Sequence, residues 1–216
     1  MDWLATAVDM FLHVDRHLLE VATMYGVWWV YALLFLVIFC ETGVVVTPFL
    51  PGDSLLFAVG ALAGAGVLDV NIVLPLLTAA AIIGDNTNYF IGRTVGPRVF
   101  TEHNRFLKRE HLLRTQRFYE KHGGKTVVLA RFVPIVRTFA PFVAGVGRMH
   151  YPRFLAFDVG GGVFWVWSFG LLGYFFGNQP IIKENFGLAI VGVIVISLLP
   201  IAVEAWRARQ SRSGEA

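Results

Sequence analysis

The chain has 216 residues, of which 56% are hydrophobic and only 15% charged, with a net charge of +3 and a mean hydropathy of +0.63. A soluble domain carries roughly a quarter of its residues as charge, so this balance excludes an ordinary water-soluble fold and points into a bilayer. The lone cysteine, Cys40, excludes an internal disulfide.

In chain order, residues 1–20 read as an amphipathic helix lying at the membrane interface. Trp3, Leu4, Val8, Phe11 and Leu12 recur near helical spacing, against polar Asp2, Asp9, Asp15 and Arg16. His13 and His17 belong to its solvated face rather than to a metal site. The start lacks the positive stretch of a cleavable signal peptide, so this end is expected to be retained. Val21–Cys40 is twenty residues without a charge, the length a spanning helix needs, and is the first span.

The stretch from Thr42 to Leu68 is apolar yet resists being one helix, because Pro48, Pro51 and Gly52 break it midway. Backbone freed in this way is tolerated at membrane depth only under cover of protein or in a water-filled cavity, so a re-entrant hairpin is expected. Gly60 and Gly64 form a small-xxx-small pair for close helix packing. Val70–Gly92 is the second span, with one charge, Asp85. Residues 93–125 then carry nine bases against three acids, a net +6, which places this loop in the cytoplasm. Nucleic acid is a poor partner for such a loop beside membrane spans; anionic lipid head groups suit it.

Thr126–Gly147 repeats the first anomaly: apolar, interrupted by Pro134 and Pro141, and charged at Arg131 and Arg137. Phe154–Gly177, with Asp158 as its one charge, and Phe186–Val203 complete the spans, and residues 204–216 form a basic cytoplasmic tail. The expected fold is therefore all-α and polytopic: one membrane domain over 1–216, about four transmembrane helices, two opposed re-entrant hairpins in an inverted pseudo-repeat, and both termini cytoplasmic.

Each ionisable residue at a helix centre in lipid costs roughly 2.5–3.5 kcal/mol on insertion scales. Glu41 and Asp53 flank the first hairpin and Arg131 and Arg137 the second, which suggests a matched buried set of two acids and two bases. Arginine binds phosphate oxygens in bidentate fashion and keeps its charge when desolvated, whereas carboxyls can take up and release protons. Arg131 and Arg137 are accordingly read as phosphate-binding, and Glu41 and Asp53 as proton-coupling groups that release them in turn. The alternative is that the four charges are static ion pairs. Asp85 and Arg93, about two turns apart with Tyr89 between, read first as a cap or interfacial pair and second as a proton relay. Trp165, Trp167, Tyr174 and Trp206 read as span and interface residues, and Gly160–Gly162 as a site of close helix approach.

Three motifs tie these residues to a family: Phe39-Cys-Glu-Thr-Gly with Thr47-Pro-Phe-Leu-Pro-Gly-Asp-Ser-Leu-Leu56; Gly84-Asp-Asn-Thr-Asn-Tyr-Phe-Ile-Gly-Arg93; and Phe118-Tyr-Glu-Lys-His-Gly-Gly-Lys-Thr continuing to Ala130-Arg-Phe-Val-Pro-Ile-Val-Arg-Thr-Phe-Ala-Pro-Phe-Val-Ala-Gly145. In these the chain resembles the DedA family of bacterial inner-membrane proteins, a branch of the VTT (SNARE-associated) superfamily. The resemblance implies translocation of a lipid carrier or phospholipid, undecaprenyl phosphate or phosphatidylethanolamine, coupled to the proton motive force. It also implies links to envelope integrity and cationic-peptide resistance, and it puts Glu41, Asp53, Arg131 and Arg137 at essential positions. One departure is Asp158, where the resemblance implies asparagine.

Rival functions are a proton-coupled antiporter for small solutes or drugs and an envelope-integrity factor without transport. An enzyme is not expected: the chain has no His-Glu-x-x-His, phosphate-loop or Gly-x-Ser-x-Gly motif, and Arg148, His150 and Asp158 are spaced too tightly for a lipid phosphatase. No cofactor or metal is expected. Membrane lipids and protons are the expected partners, and Gly60-xxx-Gly64 with Gly173-xxx-Gly177 leaves open contacts within one chain or in a homo-oligomer.

Overall fold

The structure, a computed structural model, describes Met24 and residues 26–43, 52–99, 127–128, 131, 134–180 and 191–192. The expected interfacial helix at 1–20, Pro48 and Pro51, most of the basic loop, the span Phe186–Val203 and the tail lie outside the described residues. The described residues form five helices: α1 (Val27–Gly43), α2 (Gly52–Gly64), α3 (Val70–Val99), α4 (Pro134–Val146) and α5 (Tyr151–Phe176). No strand occurs among the described residues.

Among the described residues two helices are long and apolar enough to cross a bilayer, α3 over Val70–Val95 and α5 over Tyr151–Phe176, each with 26 residues in that stretch. α1 and α2 are shorter apolar helices of 17 and 13 residues. At 1.5 Å per residue α2 is only about 20 Å long, short of the roughly 30 Å hydrocarbon core. α1 starts after Gly26 and continues past Cys40, so Glu41 and Thr42 lie in its last turn instead of a loop. α3 continues seven residues past Gly92, carrying the helix into the basic segment.

Pro134 opens α4, where a proline's missing N–H costs nothing. Pro141, expected to break the hairpin, sits inside the continuous helix. It removes one bond of the i−4 ladder, and neighbouring Thr138 offers its carbonyl to Asn88 Nδ2 of α3 at 2.7 Å. The α4–α5 connection is tight: Arg148 takes a left-handed φ of 52°, and the Met149 N–H reaches back to the Ala144 carbonyl at 3.0 Å.

Small residues set the helix crossings. Without a hydrophobic drive between helices in lipid, close backbone approach supplies the packing. Gly60 and Gly64 of α2 face Gly170, Gly173 and Tyr174 of α5: a Cβ on Gly60 would lie 2.9 Å from the Tyr174 nitrogen, and one on Gly173 would lie 3.0 Å from the Ala61 nitrogen. The two glycine pairs singled out in the sequence therefore meet each other within one chain. Gly43 approaches Gly84 where α1 crosses α3, and Gly145 approaches Arg93 where α4 crosses α3. Gly60→Ala is expected to force α2 off α5 and to cost about 1–3 kcal/mol, read as a lowered thermal midpoint of the purified protein. Gly160→Ala, whose methyl meets nothing within 4 Å, is the matched control.

Two apolar clusters result. The larger joins α1, α2, α3 and α5 around Leu34, Ile38, Leu56, Leu74, Leu77 and Trp165. The smaller joins α3, α4 and α5 around Tyr89, Ala144 and Phe154. Along α3 the step from one cluster to the other passes through Asp85 and Asn88, and along α5 it passes through Asp158. A polar layer thus lies between two apolar ones.

Candidate functional site

The described buried charges are four acids, Glu41, Asp53, Asp85 and Asp158, and two bases, Arg131 and Arg137. They form two clusters, each with one guanidinium between two carboxyls.

The first is built where helix ends converge. The last turn of α1 presents Glu41, the first turn of α2 presents Asp53, and the first turn of α4 presents Arg137. Arg137 Nη1 donates to Asp53 Oδ1 at 2.8 Å, and Nη2 donates to Glu41 Oε1. The Gly52 N–H, at the positive end of α2, donates to the same Glu41 oxygen at 3.0 Å. A Cβ on Gly52 would lie 2.6 Å from the Glu41 carboxyl carbon, so glycine is needed there for approach as well as for the chain break. Trp165 of α5 completes the cluster: its Nε1 donates to Asp53 Oδ1 at 2.7 Å, and its ring lies under Arg137, 4.7 Å from Cζ to centroid.

The second cluster surrounds Arg131. Its Nη2 donates to both Asp85 Oδ2 of α3 and Asp158 Oδ1 of α5. Asn86 Nδ2 donates to the other Asp158 oxygen at 3.3 Å, and the Tyr151 hydroxyl holds Asn86 by donating to its Oδ1 at 2.8 Å. The expected close helix approach at Gly160–Gly162 is corrected here. Gly160 is open, while Gly161 and Gly162 make room for the Arg131 side chain, whose Cδ and Nε would lie 3.0 and 3.2 Å from a Cβ on Gly161. Asp158 and Trp165 are seven residues apart on α5, so the clusters are stacked about 10 Å apart along its axis.

Asn88, fully buried, links the layers by donating to the Thr42 and Thr138 carbonyls at 3.1 and 2.7 Å. Six buried polar atoms among the described residues have no partner: Glu41 Oε2, Asp85 Oδ1, Asn88 Oδ1, Arg131 Nε and Nη1, and Arg137 Nε. Buried polar groups are normally paired, and the cost of leaving them unpaired marks this layer as built for something other than stability.

The structure thus gathers Glu41, Asp53 and Arg137 as the sequence suggests, but parts Arg131 from them. The two arginines do not share one acid pair, because α3 and α5 bring their own carboxyls to Arg131. Asp85 is 1% exposed and turns to Arg131, not to Arg93. Arg93 is exposed and donates to the Tyr89 hydroxyl at 3.1 Å, outside the buried layer.

The VTT domain family matches residues 50–175, which contain every one of these charges except Glu41. The chain is 53% identical to Protein DedA of Escherichia coli K12, over 98% of this chain and 97% of that protein. The chain belongs to the DedA family. Other relatives are an uncharacterised membrane protein of Mycobacterium leprae, 43% identical over 82% of this chain and 80% of that protein, and the inner membrane protein YqjA of Escherichia coli K12, 31% identical over 85% and 87%. The family and the helix pattern together make this a helical membrane protein. No solved structure matches it.

Within this DedA-family chain, sequence reasoning missed Trp165, Asn88, Asn86 and Tyr151. Trp165 reads as an interface residue yet is fully buried, unlike Trp28 and Trp29, which are 72% and 64% exposed. Asn86 and Asn88 flank Thr87 in the second family motif, where amides two residues apart in a membrane helix were the available signal. Trp165→Phe keeps the ring under Arg137 and removes only the donor to Asp53. Its expected effect is about 1–2 kcal/mol of stability, with a larger loss for Trp165→Leu, measured by thermal unfolding in detergent.

Proposed function

We propose that the chain moves a phosphate-bearing lipid, undecaprenyl phosphate or a phospholipid, across the bacterial inner membrane, and that protons drive it. The observation that carries this reading is Arg137: a fully charged guanidinium, buried, held by two carboxyls, with its Nε unpartnered. A guanidinium in this setting is a phosphate donor array already occupied by acids. Phosphate can take the place of Glu41 and Asp53 only if they lose charge, so phosphate and protons enter together. Arg131, with Nε and Nη1 unpartnered, is the second donor set.

Several features favour a lipid over a small polar solute. An apolar, aromatic-rich shallow depression lies on the outer face of α5, lined by residues that include Phe164, Trp167, Leu171 and Phe175, and suits contact with acyl or prenyl chains. We read short α2, starting at Gly52, and short α4, starting at Pro134, as arms of two opposed re-entrant hairpins, with both termini and the basic loop expected in the cytoplasm. In that arrangement the polar layer sits at mid-membrane, where an inverted repeat places its site. We read the chain as a transporter and not an enzyme, with protons and anionic lipid head groups as its partners.

The second reading is a structural one. Arg137 ties α1, α2, α4 and α5 together, as a static clamp would. The test is translocation of undecaprenyl phosphate and of fluorescent phospholipids in proteoliposomes, with and without a pH gradient. Movement of either that responds to the gradient supports the transporter. No lipid movement, with normal folding, overturns it; a small solute moving in response to the gradient would assign the antiport alternative.

A further inference from the structure

Arg131 carries one positive charge and faces two carboxyls on the same nitrogen, so the second cluster is net −1 when both acids are ionised. Every member is shut away from water: Arg131 is 2%, Asp85 1% and Asp158 0% exposed. An uncompensated buried charge costs several kcal/mol. Asp85 Oδ2 and Asp158 Oδ1 accept from the same Arg131 nitrogen, and Asp85 Oδ1 has no donor. Two carboxyl groups converging on one nitrogen, one oxygen lacking a donor and one unit of charge too many describe a site with room for a single proton.

We propose that Asp85 and Asp158 are a second proton site, a dyad that shares one proton while Arg131 is held and frees Arg131 on taking a second. The inference rests on the proton-coupled reading above and extends it from the Glu41–Asp53 pair to a second proton-binding pair, so that each arginine has its own. With the proton present, Asp85–H, Asp158 and Arg131 sum to zero and Arg131 stays between them. A second protonation, or an arriving phosphate, frees the guanidinium. Asp85 is faced by Arg131, Asp158 and, further off, Arg137; Asp158 is faced by Arg131, Asp85 and the neutral Asn86 amide, behind which lies Tyr151. Glu41 and Asp53 are the remaining described buried acids, and they belong to Arg137.

The test needs no substrate. Full-length protein in phosphatidylethanolamine–phosphatidylglycerol vesicles is titrated with pH under infrared difference spectroscopy, which reads the carbonyl band of protonated carboxyls. Wild type is expected to show two such populations. Asp158→Asn and Asp85→Asn, which leave one acid for one arginine, are each expected to remove the same population and cut the total band to about half. Asp53→Asn should remove the other population and leave the dyad band intact. The dyad is overturned if Asp158→Asn leaves the wild-type band unchanged. It is also overturned if a sodium ion replaces the proton, seen as a band that vanishes when sodium is added at constant pH. Asp158→Asn is isosteric and keeps an acceptor oxygen for Arg131, giving up only the long Asn86 bond, so it carries the test alone should Asp85→Asn not fold. A protein that moves no lipid yet shows the dyad band would sink the transport reading and leave the proton site standing.

Discussion

Arg137→Ala is expected to reduce lipid translocation to the rate of protein-free vesicles and to lower stability at neutral pH. Both effects follow from the same geometry. Removing the guanidinium takes away the only described cation touching Glu41 and Asp53 and leaves two buried carboxyls facing each other across the space it filled. Breaking a buried pair from one side typically costs about 3–5 kcal/mol, because the partner stays buried without compensation. Acidification neutralises both carboxyls, so the thermal midpoint of Arg137→Ala should recover as pH falls. Translocation should not recover, since no protonation state of the acids supplies a phosphate donor. That split between recovered folding and absent transport separates a substrate-binding arginine from a clamp. Transport that returns with stability at low pH would show Arg137 to be structural. Arg137→Lys, which keeps charge but loses the planar fork, should retain folding and lose most transport.

Asp53→Asn is expected to leave the protein folded and to uncouple transport from the pH gradient. Asparagine preserves the shape of the side chain and an acceptor oxygen for both Arg137 Nη1 and Trp165 Nε1. It removes a charge from a cluster that has one negative charge too many, so the cost to stability is small, within about 1 kcal/mol. Arg137 then has a single carboxylate, Glu41, and the proton that would have released it from Asp53 is no longer required. Lipid movement, measured with and without a pH gradient, should therefore become insensitive to the gradient. Full gradient-dependent transport in Asp53→Asn would mean that Asp53 has no part in coupling. A charge exchange, Asp53→Arg with Arg137→Asp, adds a further discrimination. It keeps an acid–base pair at the site, as a static clamp needs, but it moves the guanidinium from α4 to α2 and replaces the Trp165 Nε1 acceptor at position 53 with a donor. Stability that survives while transport is lost favours the phosphate site.

The sequence alone determined the class of molecule and the residues worth attention. An ionisable side chain or a proline in an apolar run stands out without any knowledge of its neighbours, because its cost in lipid is a property of the residue itself. Glu41, Asp53, Arg131 and Arg137 were legible on that ground, as were the glycine pairs at Gly60/Gly64 and Gly173/Gly177, since helical spacing puts each pair on one face. Pairing was not legible. Arg137 meets Asp53 across 84 residues and Glu41 across 96, whereas Arg131 meets Asp158 across 27 and Asp85 across 46. Which acid reaches which base depends on where helices cross, and the crossings are set by glycines that meet from distant parts of the sequence, such as Gly43 against Gly84. The same cause hid Trp165, which by composition is an interface residue and by position on α5 is the floor of the Arg137 site. It also hid the role of Gly161 and Gly162, which make space for a side chain from another segment. Only the tertiary structure could show two arginines divided between four acids, because charge balance in a buried site is a property of the packed layer and of no single stretch of chain.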